Sequence, residues 1–295
     1  MSTPRVTVAI PFHDEAPFLE QAIRSVLAQT FDDFELLLVD DASTDRSVEI
    51  ARRFLQDPRV RLLVDGRRRH LPARLNEVVR QARGELVARM DGDDVMHPEK
   101  LAVQVAHLDR EQGCDAVGTW AALIGDDDVP FGVVEAPATR PRASDVLVRP
   151  PIPHATMLAR AAWLRRFPYD ETLTRAEDRD LWCRTAGRSR IDAIPDVLYV
   201  VRLPVRREGF LRDYLRGQAD LRRVLLRHGP ALGGPLVTAR LLGASVLKSA
   251  AMATLDRLGR ADTLVYRRGR QLTAAEARRV EEALSSSRVH PRVTR

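Results

Sequence analysis

The chain is short of lysine, cysteine and aromatic residues, and each shortage removes a class of explanation. Of its 47 basic residues only Lys100 and Lys248 are lysines. Nearly all the positive charge is arginine, a coding bias that weakens any inference from arginine clusters alone. Cys114 and Cys183 are the only cysteines, too few for a disulfide framework, so a reduced compartment is expected. Aromatic residues make up 5% of the chain, and finger or basic-zipper spacings are missing, so no nucleic-acid partner is expected despite a pI near 9.9. No run of 18 uncharged apolar residues exists. The nearest, Leu236–Leu255, is interrupted by Arg240 and Lys248. The N-terminus has no basic-then-apolar leader. Residues 8–16 contain no glycine, which removes both a dinucleotide fingerprint and a glycine-rich phosphate loop after the first strand. The expected location is cytoplasmic, with a peripheral position at the inner face of the membrane as an extension of that reading.

What is present is an ordinary globular composition, 44% hydrophobic and 30% charged, with its charge unevenly spread. Residues 201–295 carry 20 basic and 8 acidic side chains, a net of +12, whereas residues 1–200 carry 27 and 33, a net of −6. The chain is therefore divided at 1–205 and 206–295, the second part basic and helical. In the first part short apolar runs alternate with helical periods. Residues 5–10 predict a strand closed by Pro11, and 17–29 a helix. Phe34–Val39 predicts a strand buried on both faces, and Ser43-Thr44-Asp45 a helix start. Val60–Val64, Leu75–Ala82, Leu86–Met90 and 99–110 continue the alternation, and Ile191–Val201 predicts a late strand. This pattern predicts an α/β fold with a mainly parallel sheet flanked by helices, whose ligands bind at the carboxyl ends of the strands. The proline-rich stretch 115–175 reads as less regular. Thr273 and Glu276 have capping-box spacing before a last helix, and 285–295 reads as a frayed tail.

Three strand ends carry acidic or polar residues to one rim: Pro11 to Glu15, Asp40-Asp41, and Asp91-Gly92-Asp93-Asp94. Carboxylates on a tight turn suit Mg²⁺ or Mn²⁺, which bridge diphosphate oxygens. An isolated acidic turn is as often a solvated cap; its place after an apolar strand favours chemistry. Asp40 or Asp41 can accept from a base N–H, although a capping turn explains one of them equally well. Glu15 is a candidate for the ribose or base, and His13 offers a flat ring to pack against a base. Glu177, Asp178 and Asp180 cluster at a helix start, where acids also favour the helix dipole. Asp178 is the candidate general base, with Glu177 beside it. His154 is a candidate for diphosphate or acceptor contact, with a structural role as the alternative.

Taken together, the segments Val8–Glu15, Leu38–Asp45, Ala82–Asp94 with His97–Leu101, His154–Thr156 and Ala176–Trp182 resemble, in order, the motifs of the family 2 glycosyltransferases of the GT-A type. The resemblance spans about residues 5–205. It implies a nucleotide-diphosphate sugar donor, a Mg²⁺ or Mn²⁺ cofactor and inversion at the anomeric carbon. Pro11, Glu15 and Asp40 or Asp41 would bind the nucleoside, Asp93 with Asp91 the metal and diphosphate, and Asp178 would be the base. His13 and Asp14 depart from the family's usual Tyr and Asn, which leaves the nucleotide open. The acceptor would be a glycan, a lipid-linked glycan or a small molecule. A non-catalytic nucleotide-sugar-binding protein and a sugar nucleotidyltransferase are the competing classes. For residues 206–270 the readings are a helical cap on the catalytic domain, a membrane-surface helix set or, with least support, a nucleic-acid surface.

Overall fold

The computed structural model describes residues 3–137, 142–203, 209–258 and 269–288. The expected boundary at 205/206 and most of the expected tail lie outside the described residues. The strands are β1 (Val6–Phe12), β2 (Phe34–Asp40), β3 (Val60–Leu63), β4 (Leu86–Arg89), β5 (Val95–Met96), β6 (Ala116–Ile124), β7 (Pro130–Val134), β8 (Leu158–Arg160) and β9 (Ile191–Arg202). They form one sheet in the order β3-β2-β1-β4-β8-β6-β9-β5, with β7 on β6. The pairings among β1 to β4 are parallel, as the alternating pattern predicts. The second half is mixed: β6 and β9 are parallel, whereas β8, β7 and β5 pair antiparallel to their neighbours.

β1 and β2 are buried at every position, which explains their unbroken apolar runs. One sheet face packs on helices α1 (Leu19–Leu27), α2 (Ser47–Arg52) and α4 (Lys100–Arg110) through residues such as Ile10, Ile23, Leu38 and Leu101. The other packs on α3 (His70–Gln81), α5 (Ala161–Arg166) and α6 (Glu177–Thr185) through Leu37, Val78, Trp163, Leu181 and Trp182. Among the described residues two further helices follow, α7 (Phe210–Arg257), broken at Gly234, and α8 (Ala274–Ser286). α8 starts with the expected capping box, the Thr273 hydroxyl accepting from the Glu276 N–H. It buries Val280 and Ala283 in a small core with Val197 and Val200 of β9.

Three local readings change. Pro11 does not close β1; it lies inside the strand, past the end of the β4 pairing at Ala9. The helix after β2 starts at Ser47 rather than Ser43, because residues 43–45 spend their polar groups tying two loops together (below). The stretch 115–175 holds β6, β7, β8, α5 and two 3₁₀ turns, Asp145–Leu147 and His154–Thr156. β6 was obscured by Gly118 and Thr119 at its centre. Gly118 is required there: a Cβ would stand 2.5 Å from Ile152 Cβ.

Candidate active site

The rim begins with the turns after β1 and β2, which are sewn together. The Asp14 carboxylate accepts from the Thr44 N–H (2.6 Å) and the Asp45 N–H (3.2 Å), and the Asp14 N–H donates to the Ser43 hydroxyl. In return Asp45 accepts from the Ala16 N–H, and the Ser47 hydroxyl from the Glu15 N–H. Asp14 and Ala42 adopt positive φ, 55° and 58°, to make these bonds. His13 is half-buried: its Nε2 lies 3.2 Å from Asp14, and its buried Nδ1 has no partner among the described residues.

The neighbouring aspartates differ sharply. Asp40 is buried and its Oδ1 accepts from the Ser43 N–H at 3.0 Å. Asp41 points the other way and is saturated. Its carboxylate accepts from the backbone N–H groups of Arg69 (2.7 Å) and His70 (3.1 Å) and from Arg74 Nε (2.9 Å), and it pairs with Arg68 (3.1 Å). Burial pushes the Asp41 carboxyl up, but these donors outweigh it and hold it below its ordinary value. The geometry makes Asp41 the anchor for the entry to α3.

After β4 the acidic turn folds onto the β1 turn. A Cβ on Gly92 would sit 3.1 Å from Phe12 Cβ and 3.3 Å from Glu15 Cγ, so Gly92 lets the two turns meet. Asp94 is buried and its Oδ1 accepts from the Arg202 N–H (2.8 Å), while the Asp93 carbonyl accepts from Arg202 Nε (3.1 Å). Arg202, stacked over Phe18, thus pins the turn from β9. Asp91 and Asp93 are only half-buried. Two carboxylates one residue apart, with oxygen donors only, fit a hard divalent cation.

Arg89, which the sequence reading passed over, joins the parts. It is buried, its guanidinium bonds Asp91 at 2.5 Å, and its Nε has no partner among the described residues. Burial works against its charge, and the carboxylates of Asp91 first and of Glu177 next, at the start of α6, favour it. Glu177 is buried; burial first, and then the Asp178 charge, push its carboxyl up to about 7, against the pull of Arg89. His154 is buried beside it, with Nδ1 3.7 Å from Glu177 and Nε2 2.8 Å from the Tyr169 hydroxyl. Burial, and then Arg89, hold His154 well below its ordinary pKa, so it is neutral. The Asp178 Oδ1 accepts from the Arg179 N–H at 2.6 Å. Asp180 belongs elsewhere, bonded to Arg184 and His228. The signal for Arg89 was available: a lone charge inside the apolar run Leu86–Met90.

A second cluster has no comparable use. The ligand atoms of His107, Cys114 and Asp192 lie within 4.8 Å of one another, but His107 Nε2 and the Asp192 carboxylate are hydrogen-bonded to each other at 3.1 Å. Burial and Asp192 push the Cys114 thiol up to about 12, so it stays protonated.

A mixed sheet carrying an acidic turn at the central strand ends, with an acid pair brought to the same rim, is the GT-A arrangement of nucleotide-sugar transferases. Solved structures share the fold. TarS of S. aureus with UDP-GlcNAc is similar with a TM-score of 0.61 at 19% identity, over 82% of this chain and 71% of that one. The mannosyltransferase PcManGT from Pyrobaculum calidifontis, solved with GDP-Man and Mn²⁺, is similar with a TM-score of 0.61 at 22% identity, over 97% and 86%. The model of the family described as Glycosyl transferase family 2 matches residues 7–173, more than half of the chain. EpsE of Bacillus subtilis strain 168, named as a glycosyltransferase, is 34% identical over 191 residues, 62% of this chain and 67% of that one. The uncharacterized glycosyltransferase MJ1057 of Methanocaldococcus jannaschii is 27% identical over 214 residues, 70% and 73%. The chain belongs to glycosyl transferase family 2 and is a glycosyltransferase.

Proposed function

We propose that this enzyme moves a sugar, with inversion, from a nucleoside-diphosphate donor to an acceptor hydroxyl, and that Asp178 is its general base. The observation that carries the reading is the place of Arg89: this buried cation bonds Asp91 of the acidic turn after β4, and its charge is felt at Glu177, which opens α6 next to Asp178. Pro11, His13, Glu15 and Asp40 form the nucleoside wall, with Asp41 fixing that wall from behind. His13 brings to it a buried Nδ1 that has no partner among the described residues. Asp91 and Asp93 hold Mg²⁺ or Mn²⁺ and, with Gly92, the diphosphate. When bound, the ion offsets the negative charge that grows on the leaving diphosphate.

The remaining chemistry belongs to side chains. The acceptor hydroxyl attacks the anomeric carbon from the face opposite the diphosphate, and Asp178 takes its proton. The new glycosidic bond forms as the bond to the diphosphate breaks, so the configuration inverts without a covalent enzyme intermediate. Glu177, protonated for much of the time near neutral pH, suits hydrogen-bond donation better than base catalysis. With neutral His154 it orients the acceptor or diphosphate. The acceptor is a glycan, a lipid-linked glycan or a small molecule. Residues 1–205 form the catalytic unit and 206–295 its extension, peripheral at the inner face of the membrane.

The test is the anomeric configuration of the product by NMR, together with Asp178→Asn. Inversion is expected. The substitution should lower kcat by roughly 10²–10⁴-fold, the usual worth of a general base, and leave donor affinity within about threefold. Retention of configuration, or an Asp178→Asn enzyme of full activity, refutes the assignment.

A further inference from the structure

We infer that the outward face of the helix running from Pro235 to Arg257 seats on an anionic lipid bilayer. α7 breaks at Gly234 (φ 78°), and its second half folds back along the first. The Arg222 guanidinium donates to the hydroxyls of Ser245 (3.2 Å) and Ser249 (3.3 Å), and Ser245 donates to Gln218 (2.8 Å). Thr238 fills the space over Gly229, and Met252 is buried. One face of the second helix is therefore committed to the hairpin.

The opposite face is apolar and open. Leu236 is 84% exposed, Leu247 71%, Leu258 65% and Val246 55%, with Ala239, Gly243, Ala250 and Ala251 exposed between them. At 1.5 Å per residue this stripe is about 33 Å long. Such a surface on a soluble protein marks a partner, and charge selects which. Residues 209–258 carry eight basic and three acidic side chains. Pairing removes charges of both signs, Asp213 with Arg175, Asp220 with Arg223 and Arg227 with Asp170, and on the seating helix itself three basic side chains stand against Asp256. Exposed Arg240, Lys248 and Arg257 interrupt or flank the stripe. A second copy would bring the same basic face and be repelled, whereas anionic headgroups are attracted to it. The helix is long and apolar enough to cross a membrane. Arg240, Lys248 and the hydroxyls bonded to Arg222 make it lie flat instead.

This seat deepens the peripheral placement proposed above and rests on it. The same hairpin grips α6: His228 bonds Asp180 (2.8 Å), and the Asp220 carboxylate accepts from the Thr174 and Arg175 N–H groups (3.0 Å each). α6 carries Glu177 and Asp178, so a seated hairpin holds the proposed base at the bilayer surface, where a lipid-linked acceptor would be presented.

The experiment is co-sedimentation of the full chain with vesicles of phosphatidylcholine, with and without phosphatidylglycerol, at low and high salt. Wild type and Leu236→Glu/Leu247→Glu are compared. Both positions are exposed, so thermal melting should be unchanged. Wild type should favour the anionic vesicles, on the order of tenfold, lose that preference in high salt and be released by alkaline carbonate. The double variant should lose binding on the order of tenfold, with donor hydrolysis in solution unchanged. Equal partition of both proteins, or indifference to phosphatidylglycerol, overturns the inference. Retention after carbonate assigns a spanning helix instead. A dimer by light scattering that the double substitution dissolves, without vesicle binding, assigns a second copy. If wild type hydrolyses no donor while binding vesicles normally, the transferase mechanism fails and the membrane seat stands.

Discussion

Asp40 and Asp41 are adjacent carboxylates at one strand end, and their substitution by asparagine should have opposite consequences. Asp41 takes two backbone N–H groups and the Arg74 Nε, and pairs with Arg68. An amide can face only some of these donors with its oxygen and turns its own N–H groups toward the rest. Breaking a buried ion pair costs about 3–5 kcal/mol. Arg74 keeps Asp65 and Glu77, and the asparagine oxygen keeps part of the set, so Asp41→Asn should cost about 2–3 kcal/mol. For a protein near this size that is a Tm loss of roughly 5–10 °C. The Asp41 carboxyl is held below its ordinary value, so its contribution is present above about pH 4 and lost as pH falls further. The two melting curves should therefore converge in acid. Asp40 has a smaller bonded set, and an asparagine oxygen can still accept from Ser43. Asp40→Asn should stay within about 1 kcal/mol of wild type and instead weaken donor binding, about tenfold for a lost charged hydrogen bond to a base. Scanning calorimetry and donor titration, run on both variants, measure the two effects. An Asp41→Asn protein with wild-type Tm and no donor affinity would refute the reasoning and make Asp41 the ligand.

Glu177→Gln should flatten part of the stability–pH profile. Its folded carboxyl is raised from 4.5 to about 7, so wild type gains stability below pH 4.5 and loses it as pH rises to 7; urea midpoints of the two proteins should diverge across that window and run parallel above it. Gly118→Ala should destabilise by roughly 1–3 kcal/mol through overpacking against Ile152 and Thr156, with donor affinity retained in the folded fraction. A thermal midpoint equal to wild type would contradict that packing.

The parallel half of the sheet was legible because β1, β2 and β4 are apolar at nearly every position and end abruptly in acids. Beyond Met90 the run Ile191–Val201 showed β9, but β5 and β8 did not register, having two and three residues, too short for a period, and β6 was obscured by Gly118-Thr119. The helix start at Ser43 was misread for a physical reason. Ser43, Thr44 and Asp45 are good capping residues, but a loop 29 to 31 residues away competes for the same groups. The acidic positions of the site were visible as residue types at strand ends. The difference between Asp40 and Asp41 was not, since it depends on where α3 presents Arg69, His70 and Arg74. The abundance of arginine in this chain masked the lone charge of Arg89 inside its apolar run, and the burial of Arg202 is a tertiary fact. The capping box at Thr273 was readable because it is wholly local.

The most direct test of the central claim is release of nucleoside diphosphate from a panel of UDP-, GDP- and dTDP-sugars, each with Mn²⁺, Mg²⁺ or EDTA. Wild type is run beside Asp93→Ala and Asp178→Asn. The account predicts slow hydrolysis of one donor that needs a divalent ion, with strong loss in both variants. Full hydrolysis in EDTA, or wild-type rates in either variant, would contradict it.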